Sequence, residues 1–338
     1  MNVVTVPFVL PWAAFAAVWA VLAVVVCVLH GPVRRRLSGL EAEQRAALLL
    51  ALALLPVVCA AGAAVLAFAP AVGGFVVDAH CHPDVGCSAH VPTLRADASL
   101  ATLLVLIVTS IFAAIGCSAS SGLRRSLSVA RALALLQTRN GSPARRADDA
   151  VPVDIADSRE RFAYCAGLLR PRVVVSRALL DALPARGRKA VLEHERAHAA
   201  RRDNLRGLLA ALSLWPVPRA LKRGLLRDLA AAAELACDRR AASRVGGTAA
   251  VAAALAAVHS PPRWSFGPDA PAHRAGTSQT DGSAEMLCDR VAALHEAPGR
   301  RLPGAVAAAL VAAVYLAITL AATLAVHHGA ELFIARLG

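Results

Sequence analysis

Charged residues are scarce in this sequence, since they make up only 17% of its 338 residues. Aromatic residues are scarcer still at 4%, whereas apolar residues account for 57%. A soluble globular domain carries about one charged residue in four. The composition therefore excludes an ordinary water-soluble protein, and the high apolar content excludes a disordered chain.

Four long stretches contain no Asp, Glu, Lys or Arg at all: 1–33, 46–77, 98–123 and 302–330. Each exceeds the roughly 20 residues that cross the hydrocarbon of a bilayer. The alternative is a set of Ala-rich core helices in a soluble protein, but the stretches are also dense in Leu, Val, Ile and Phe. The sequence predicts four transmembrane helices. The first lacks the basic start and the cleavage site of a signal peptide, so it is expected to remain as an anchor.

The distribution of charge predicts the topology. The loop 30–45 carries four arginines, whereas the loop 78–97 carries Arg95 beside three aspartates. By the positive-inside rule the first loop is cytoplasmic and the second is outside. The N-terminus and the C-terminal tail are then outside, and the long segment between the third and fourth spans is cytoplasmic. The predicted organisation is 1–122 with three spans, 123–301 as a cytoplasmic domain, and 302–338 with the fourth span and a short tail.

The whole net charge of +13 falls within the cytoplasmic segment 123–301. Its arginine pairs, such as Arg201-Arg202 and Arg239-Arg240, are scattered and belong to no helix-turn-helix or finger pattern. The sequence also has no Gly-rich phosphate loop and no internal repeat. Direct binding of nucleic acid is therefore not expected, and the basic face is interpreted as lying beside anionic lipid headgroups.

Within this segment, two helices are predicted, from Arg186 to about Leu214 and from about Leu221 to Val245, the second ending at Gly246-Gly247. Short β-branched runs at 151–155 and 172–176 predict strands. The segment 260–283 is rich in Pro, Gly and Ser and predicts a mobile loop, followed by a short helix over 284–295. The predicted fold is mainly α, with four transmembrane helices and an α+β domain inserted between the third and fourth spans.

The chemistry is concentrated in His194-Glu-Arg-Ala-His198. Two imidazoles four residues apart project from one helix face and can bind one metal ion. Glu195 lies beside them, where a carboxylate can accept a proton from a water that the metal has acidified. The alternative is a solvent-exposed His/Glu face without a metal. The pattern predicts His194 and His198 as zinc ligands and Glu195 as the general base.

A third ligand is available in Glu234-Leu-Ala-Cys-Asp238 on the second helix. Glu234 and Asp238 are four residues apart on one face, which suits Glu234 to the metal and Asp238 to the N–H of a ligand histidine. Two histidines and a glutamate leave the fourth position of one Zn²⁺ open, as a catalytic site requires. Cys237 remains a competing ligand. The pair Arg202 and Asp203, just after the second histidine, is interpreted as surface pairing.

The order of spans and three segments resemble the BlaR/MecR-type integral-membrane metallopeptidases, an antirepressor family within the gluzincins. The matching segments are residues 167–176, 190–203 and 234–241. The resemblance implies His194, His198 and Glu234 as zinc ligands, Glu195 as base and Asp238 as supporting carboxylate. It also implies that a strand formed by Arg172, Val173, Val174 and Val175 pairs with an extended substrate, although an ordinary edge of a small sheet is equally compatible with that run.

The resemblance further implies a multi-pass protein of the bacterial inner membrane that cleaves a cytoplasmic protein, a DNA-binding repressor, after a signal from outside. Some members of the family also cleave themselves. This sequence departs from the family because only about a dozen residues follow the fourth span, too few for a penicillin-binding sensor domain. A homodimer is compatible with the sequence, which leaves the oligomeric state open.

The outside loop is the remaining candidate for sensing. It contains three histidines and two cysteines within 13 residues: His80, Cys81, His82, Cys87 and His90. One interpretation is a metal- or redox-responsive switch, and the alternative is a constitutive disulfide between Cys81 and Cys87 that holds an exposed loop. The six other cysteines lie in spans or in the reducing cytoplasm and are expected to be free.

Three functions are compatible with these features. The first is a membrane zinc endopeptidase in signal-dependent proteolysis of a repressor. The second is a quality-control or processing protease of the heat-shock or prenyl-peptidase gluzincin type. The third is a non-catalytic membrane sensor, which the presence of both Glu195 and Glu234 disfavours.

Overall fold

A computed structural model describes residues 3–5, 9–68, 80–82, 86–88, 95–97, 99, 101–103, 105–117, 120–121, 124, 151–257 and 289–337. The helices are, in chain order, α1 (Val9–Leu37), α2 (Ala42–Phe68), α3 (Ala101–Cys117), α4 (Arg177–Ala182), α5 (Ala185–Arg201), α6 (Asp203–Ser213), α7 (Arg219–Val245), α8 (Thr248–Ala257) and α9 (Gly304–Leu337). A further short helical segment covers 289–295. The loop predicted over 260–283 lies outside the described residues.

Three of these helices, α1, α2 and α9, are long and apolar enough to cross a membrane. They coincide with three of the four predicted spans, so membrane insertion is supported at those positions. The third predicted span overlaps α3, which at 101–117 is shorter than a typical span and includes a residue outside the described part. Four spans therefore remain a prediction. Large apolar side chains such as Val21, Leu29 and Leu310 are more than half exposed, as expected for a surface that meets lipid.

Two short strand pairs are formed by residues before α1 and by residues between α2 and α3 in the sequence. β1 (Val3–Thr5) pairs with β4 (Arg95–Asp97), and β2 (His80–His82) pairs with β3 (Gly86–Ser88), both antiparallel. The second pair sets Cys81 directly opposite Cys87 in the register. The side chains of His80, Cys81, His82 and Cys87, and the whole of His90, lie outside the described part of the chain.

The segment 151–257 contains a three-stranded sheet in the order β5 (Val153–Ala156), β7 (Arg172–Ser176), β6 (Ala163–Ala166). β7 pairs in parallel with β5 and antiparallel with β6. Both edges of the run Arg172, Val173, Val174 and Val175 are thus occupied, and the prediction that this run pairs with a substrate was wrong. Its three valines are completely buried, which is typical of a central strand. The sequence analysis did not predict β6 as a strand.

The helix predicted from Arg186 to Leu214 is broken in the structure at Arg202. α5 ends and α6 begins at this residue, which has a left-handed backbone with φ of 53°. Two packed helices replace one straight helix because α6 turns back to lie against α2. The second predicted helix is confirmed as α7, which ends at Gly246 in the left-handed conformation that favours glycine.

The segment 151–257 and the candidate membrane helices α1 and α2 share one core. Apolar side chains of α6 and α7 interdigitate with those of α1 and α2; the buried members include Ala23, Val26, Ala46, Leu49, Ala53, Ala210, Leu214, Val217 and Leu225. Trp19 of α1 donates from Nε1 to the carbonyl oxygen of Ser213 at 2.6 Å. A second core joins α4, α5, α7 and α8 to the sheet. α7, which carries Glu234 and Asp238, is therefore packed directly on α1 and α2.

Candidate metal centre

α5 and α7 bring the three predicted ligands together. The Nε2 atoms of His194 and His198 lie 3.1 Å apart, one helical turn from each other on the same face of α5. Glu234 reaches in from α7, with one oxygen 3.6 Å from His194 Nε2 and the other 3.8 Å from His198 Nε2. The donor atoms of these three residues all fall within 4.8 Å of one another.

Carboxylates hold the opposite nitrogen of each imidazole. His194 Nδ1 lies 2.8 Å from Asp238 Oδ1, and His198 Nδ1 lies 2.9 Å from Asp203 Oδ2. His198 Nδ1 is hydrogen-bonded to Asp203, and His194 Nδ1 lies at ion-pair distance from Asp238. With one proton on each Nδ1, the two Nε2 lone pairs face each other, and a proton or a metal ion between them relieves the repulsion.

The donor set therefore fits a divalent metal ion. Zinc–nitrogen bonds of about 2.0–2.1 Å separate two ligands of a tetrahedral site by about 3.3 Å, close to the spacings observed here. Two imidazoles and one carboxylate also match the ligand types of catalytic zinc sites. His194, His198 and Glu234 are accordingly the residues that would hold the ion.

Asp238 occupies the position that the sequence predicted, supporting the first histidine. It is completely buried. Arg290 from the segment 289–295 forms a two-pronged contact with it, Nε to Oδ2 at 2.9 Å and Nη2 to Oδ1 at 2.7 Å. The Arg290 Nη1 atom also lies 3.1 Å from Glu234 Oε2. Burial raises the pKa of Asp238, but the bonds from His194 and Arg290 outweigh it and leave the pKa below its ordinary value.

Asp203 is a functional residue that the sequence analysis assigned to surface pairing. The corner at Arg202 turns the chain so that Asp203 points back at His198, and Arg201 donates from Nε to both oxygens of Asp203 at 3.1 Å. Although burial lowers the pKa of His198, the bond to Asp203 raises it well above the ordinary value. In the sequence, this role was indicated only by the position of Asp203, an acidic residue five positions after the second histidine. Arg290, 52 positions from Asp238, had no signal in the sequence.

Glu195 lies inside the site, as the pattern predicted. Its side chain is buried, and that burial raises the pKa of the carboxyl group against the opposing effect of His194 and His198. A carboxyl group with a raised pKa takes up a proton more readily near neutral pH. Glu195 is therefore suited to exchange protons with a reacting group bound beside the two histidines.

The structure places Cys237 away from the three-ligand group. Its Sγ atom lies 3.7 Å from Asp203 Oδ2, on the side of His198 that faces Nδ1. Cys237 groups with His198 and Asp203 rather than with His194 and Glu234. The Arg201 guanidinium bound to Asp203 opposes a second cation there. Cys165 is also close to the site, and burial together with Glu195 raises its pKa to about 12.

The outer edge of the sheet beside α5 is β6. Ser176 donates its N–H to Phe162, so by the alternation of the antiparallel ladder the polar backbone groups of Ala163 and Cys165 point away from β7. Asn204, on the first turn of α6, donates from Nδ2 to the carbonyls of Cys165 at 2.9 Å and Gly167 at 3.1 Å. Asn204 thus covers one end of this edge.

Residues 124–258 match the model of peptidase family M48. The match includes both the His194–His198 motif and the Glu234–Asp238 motif, and it ends before Arg290. No curated protein and no solved structure matches the chain. The narrower BlaR/MecR resemblance stays a prediction. Ligand geometry and family match agree, and residues 124–258 therefore form a domain similar to the metallopeptidases of family M48.

Proposed function

We propose that this protein is a membrane-embedded zinc endopeptidase that hydrolyses peptide bonds of a protein substrate. The observation that carries the proposal is the pair of histidines whose Nε2 atoms lie 3.1 Å apart while a separate carboxylate holds each Nδ1. A zinc ion held there supplies a Lewis acid that polarises the scissile carbonyl and acidifies water. The side chains of the protein carry out the remaining steps of the reaction.

In this proposal Glu195 moves the protons. Its buried carboxylate takes a proton from the attacking water and delivers it to the nitrogen of the leaving amine. His194 and His198 stay in one tautomer because Asp238 and Asp203 hold their Nδ1 protons. Arg290 pairs with both Asp238 and Glu234, and this pairing holds the Glu234 carboxylate in place beside the two histidines.

The edge of β6 that faces away from β7 is the proposed binding surface for the substrate backbone. It lies beside α5, and the outward N–H and C=O of Ala163 are aligned for pairing with an extended chain. Asn204 already occupies the outward carbonyl of Cys165. An incoming strand would therefore pair at the Ala163 end of β6.

For the substrate, we propose a cytoplasmic protein, a DNA-binding repressor, whose cleavage follows a signal from outside. This part rests on the BlaR/MecR resemblance and on the predicted orientation with 123–301 in the cytoplasm. The second candidate is processing or quality control of membrane proteins. It is favoured by the closeness of the centre to the membrane helices, since Glu43 on the first turn of α2 lies 3.7 Å from Arg201, which binds Asp203.

The experiment compares the wild-type chain, Glu195→Gln and Glu193→Gln in cells and as purified protein. Glu193 lies on the same helix and pairs with Arg196, so it is a matched control. We expect one zinc per chain in all three proteins by elemental analysis. New protein N-termini should be lost only in Glu195→Gln.

The identity of those N-termini separates the substrates. A soluble DNA-binding protein supports the repressor, and juxtamembrane cuts in membrane proteins support the second candidate. If cleavage persists in Glu195→Gln, Glu195 is not the general base. If the purified wild-type protein contains no bound zinc, the proposal as a whole is contradicted.

A further inference from the structure

The segment 289–302 runs from the metal centre to the turn between α1 and α2. At its start, Arg290 forms the ion pairs with α7 that were described above. At its end, Arg300 lies beside Leu40 of the turn and forms an isolated parallel bridge with it. We call this segment the strap. It follows the part of the chain that matches the peptidase family model, which ends at residue 258.

Four hydrogen bonds fasten the end of the strap to the turn and to the first turn of α2. The N–H of Arg300 donates to the carbonyl of Gly39 at 2.9 Å, and the carbonyl of Arg300 accepts from the N–H of Glu41 at 3.0 Å. The side-chain amide of Gln44 accepts from the N–H of Leu302 at 2.8 Å and donates to the carbonyl of the same residue. These bonds fix one register of the strap against the turn.

Gly299 shows how closely the strap approaches the turn. A Cβ atom at this position would lie 2.5 Å from the backbone carbonyl carbon of Leu40 and 2.6 Å from its oxygen. Backbone atoms cannot move aside as the end of a flexible side chain can, so any side chain at 299 displaces the strap. At Gly39, in the turn itself, no described residue beyond the chain neighbours lies within 4 Å of the Cβ position. A methyl group is therefore tolerated there.

Apolar packing holds the middle of the strap between α7 and the start of α2. Ala293 packs on a buried cluster that α2 and α7 form together, made of Ala42, Leu235 and Ala236. The carbonyl of Ala293 also accepts from Arg239 Nη2 at 3.3 Å. Close-packed contacts transmit a displacement because they leave few voids to absorb it. A shift of the turn therefore reaches Arg290, one helical turn before Ala293.

The start of α2 has a second contact with the supports of the centre, which is weaker. Glu43 Oε1 lies 3.7 Å from Nη1 of Arg201, the residue that donates to Asp203. The Glu43 side chain is 63% exposed, and an ion pair between a mostly exposed side chain and its partner contributes little. The strap is thus the stronger connection between the turn and the metal centre.

We propose that the strap couples the position of the α1–α2 turn to the metal centre. Arg290 carries the coupling, because it pairs with the metal ligand Glu234 and with Asp238, the partner of His194. Displacement of the strap removes the cation that holds both carboxylates in place. Coupling between two sites is reciprocal, so bound zinc stabilises the docked strap by the same factor by which docking strengthens zinc binding.

This coupling is a property of the membrane helices as well as of the centre. A change in the arrangement of α1 and α2 moves the turn that joins them and so changes the affinity for zinc. The inference rests on the metal binding that belongs to the proposed function. It depends neither on Glu195 nor on the identity of a substrate.

Hydrogen exchange in the full-length chain tests the coupling. Exchange is measured by mass spectrometry in detergent, with and without zinc, for the wild type, Gly299→Ala and the control Gly39→Ala. We expect zinc to slow exchange over 38–44 and 289–302 in the wild type and the control. In Gly299→Ala, zinc should slow exchange only around 194–198.

The outcomes separate this coupling from the proposed function. A wild type that binds zinc without any change in exchange over 38–44 would overturn the coupling alone. A wild type that binds no zinc would contradict the proposed function and the coupling with it. Equal effects of zinc on 38–44 in Gly299→Ala and in the wild type would show that the strap does not carry the coupling.

Zinc affinity, measured by competition with a chelator, tests the reverse direction. Gly299→Ala should bind zinc about tenfold more weakly, the lower end of the range for loss of a partner that orients a ligand. Gly39→Ala should bind as the wild type does. If Gly299→Ala does not fold, Gln44→Ala removes the side-chain bonds to Leu302 and should weaken zinc binding about threefold. An unchanged affinity in the folded variant would overturn the proposal.

A double variant shows whether the strap acts through Arg290. Once Arg290→Gln has removed the guanidinium, displacement of the strap has no further route to the carboxylates. Gly299→Ala in the Arg290→Gln background should therefore cause no additional loss of zinc affinity. Losses that simply add would mean that the two positions act independently, and they would contradict the role assigned to the strap.

Discussion

At the scale of single residues, the site depends on carboxylates that do not touch the metal position. Asp203 holds His198 Nδ1 at 2.9 Å, so Asp203→Asn weakens the preference for one tautomer and one ring orientation. Loss of such a partner typically costs 10–100-fold in metal affinity. We predict zinc binding weaker by about that factor, measured by competition with a chelator. Asp157→Asn, at an exposed position paired with Arg177, should leave the affinity unchanged.

Arg290 is the second residue whose removal should have a large effect. Arg290→Gln leaves the fully buried Asp238 carboxylate without its two-pronged partner. Breaking a buried ion pair on one side costs about 3–5 kcal/mol. We predict a marked drop in the unfolding temperature in detergent, only partly restored in Arg290→Lys, because lysine lacks the planar fork. Arg240→Gln on the exposed face of α7 is the control, and equal drops in both would contradict this role.

At the scale of the elements, the corner between α5 and α6 decides whether Asp203 reaches His198. Arg202 adopts the left-handed conformation, which costs a residue other than glycine about 1–2 kcal/mol. Arg202→Gly should preserve the unfolding temperature and the zinc affinity, whereas the β-branched Arg202→Val should lower both. Arg244→Val tests the same change at an exposed helical position. If valine at 202 is tolerated as well as glycine, the corner is not what positions Asp203.

At the scale of the whole molecule, the core of the segment 151–257 is completed by α1 and α2. Leu214, Val217 and Leu225 are buried against α1 and α2 and would be exposed in an isolated domain. We predict that 123–301 expressed alone aggregates or binds a hydrophobic dye strongly, and that co-expression of 1–68 reduces both effects. Size-exclusion chromatography with dye fluorescence measures this. A monodisperse domain without dye binding would show that it folds independently.

Sequence patterns predicted the candidate metal ligands because helical spacing brings each pair of them onto one helix face. His194 and His198, and likewise Glu234 and Asp238, are separated by four residues, and this places each pair together in any α-helix. The three confirmed candidate spans follow from charge-free length, which is equally local. The orientation of the chain, its substrate and its signal depend on the surroundings of the molecule and stay predictions.

Only the tertiary structure decided which elements meet. The valines of β7 are apolar in any arrangement, and their central place in the sheet depends on β5 and β6 pairing from both sides. Asp203 reaches His198 only because one backbone angle at Arg202 breaks a helix that propensity favours as continuous. Arg290 acquires its partners Asp238 and Glu234 from α7, which lies more than 50 residues earlier in the chain. Local periodicity is a property of the sequence, whereas contacts across long loops depend on packing free energy summed over the whole fold.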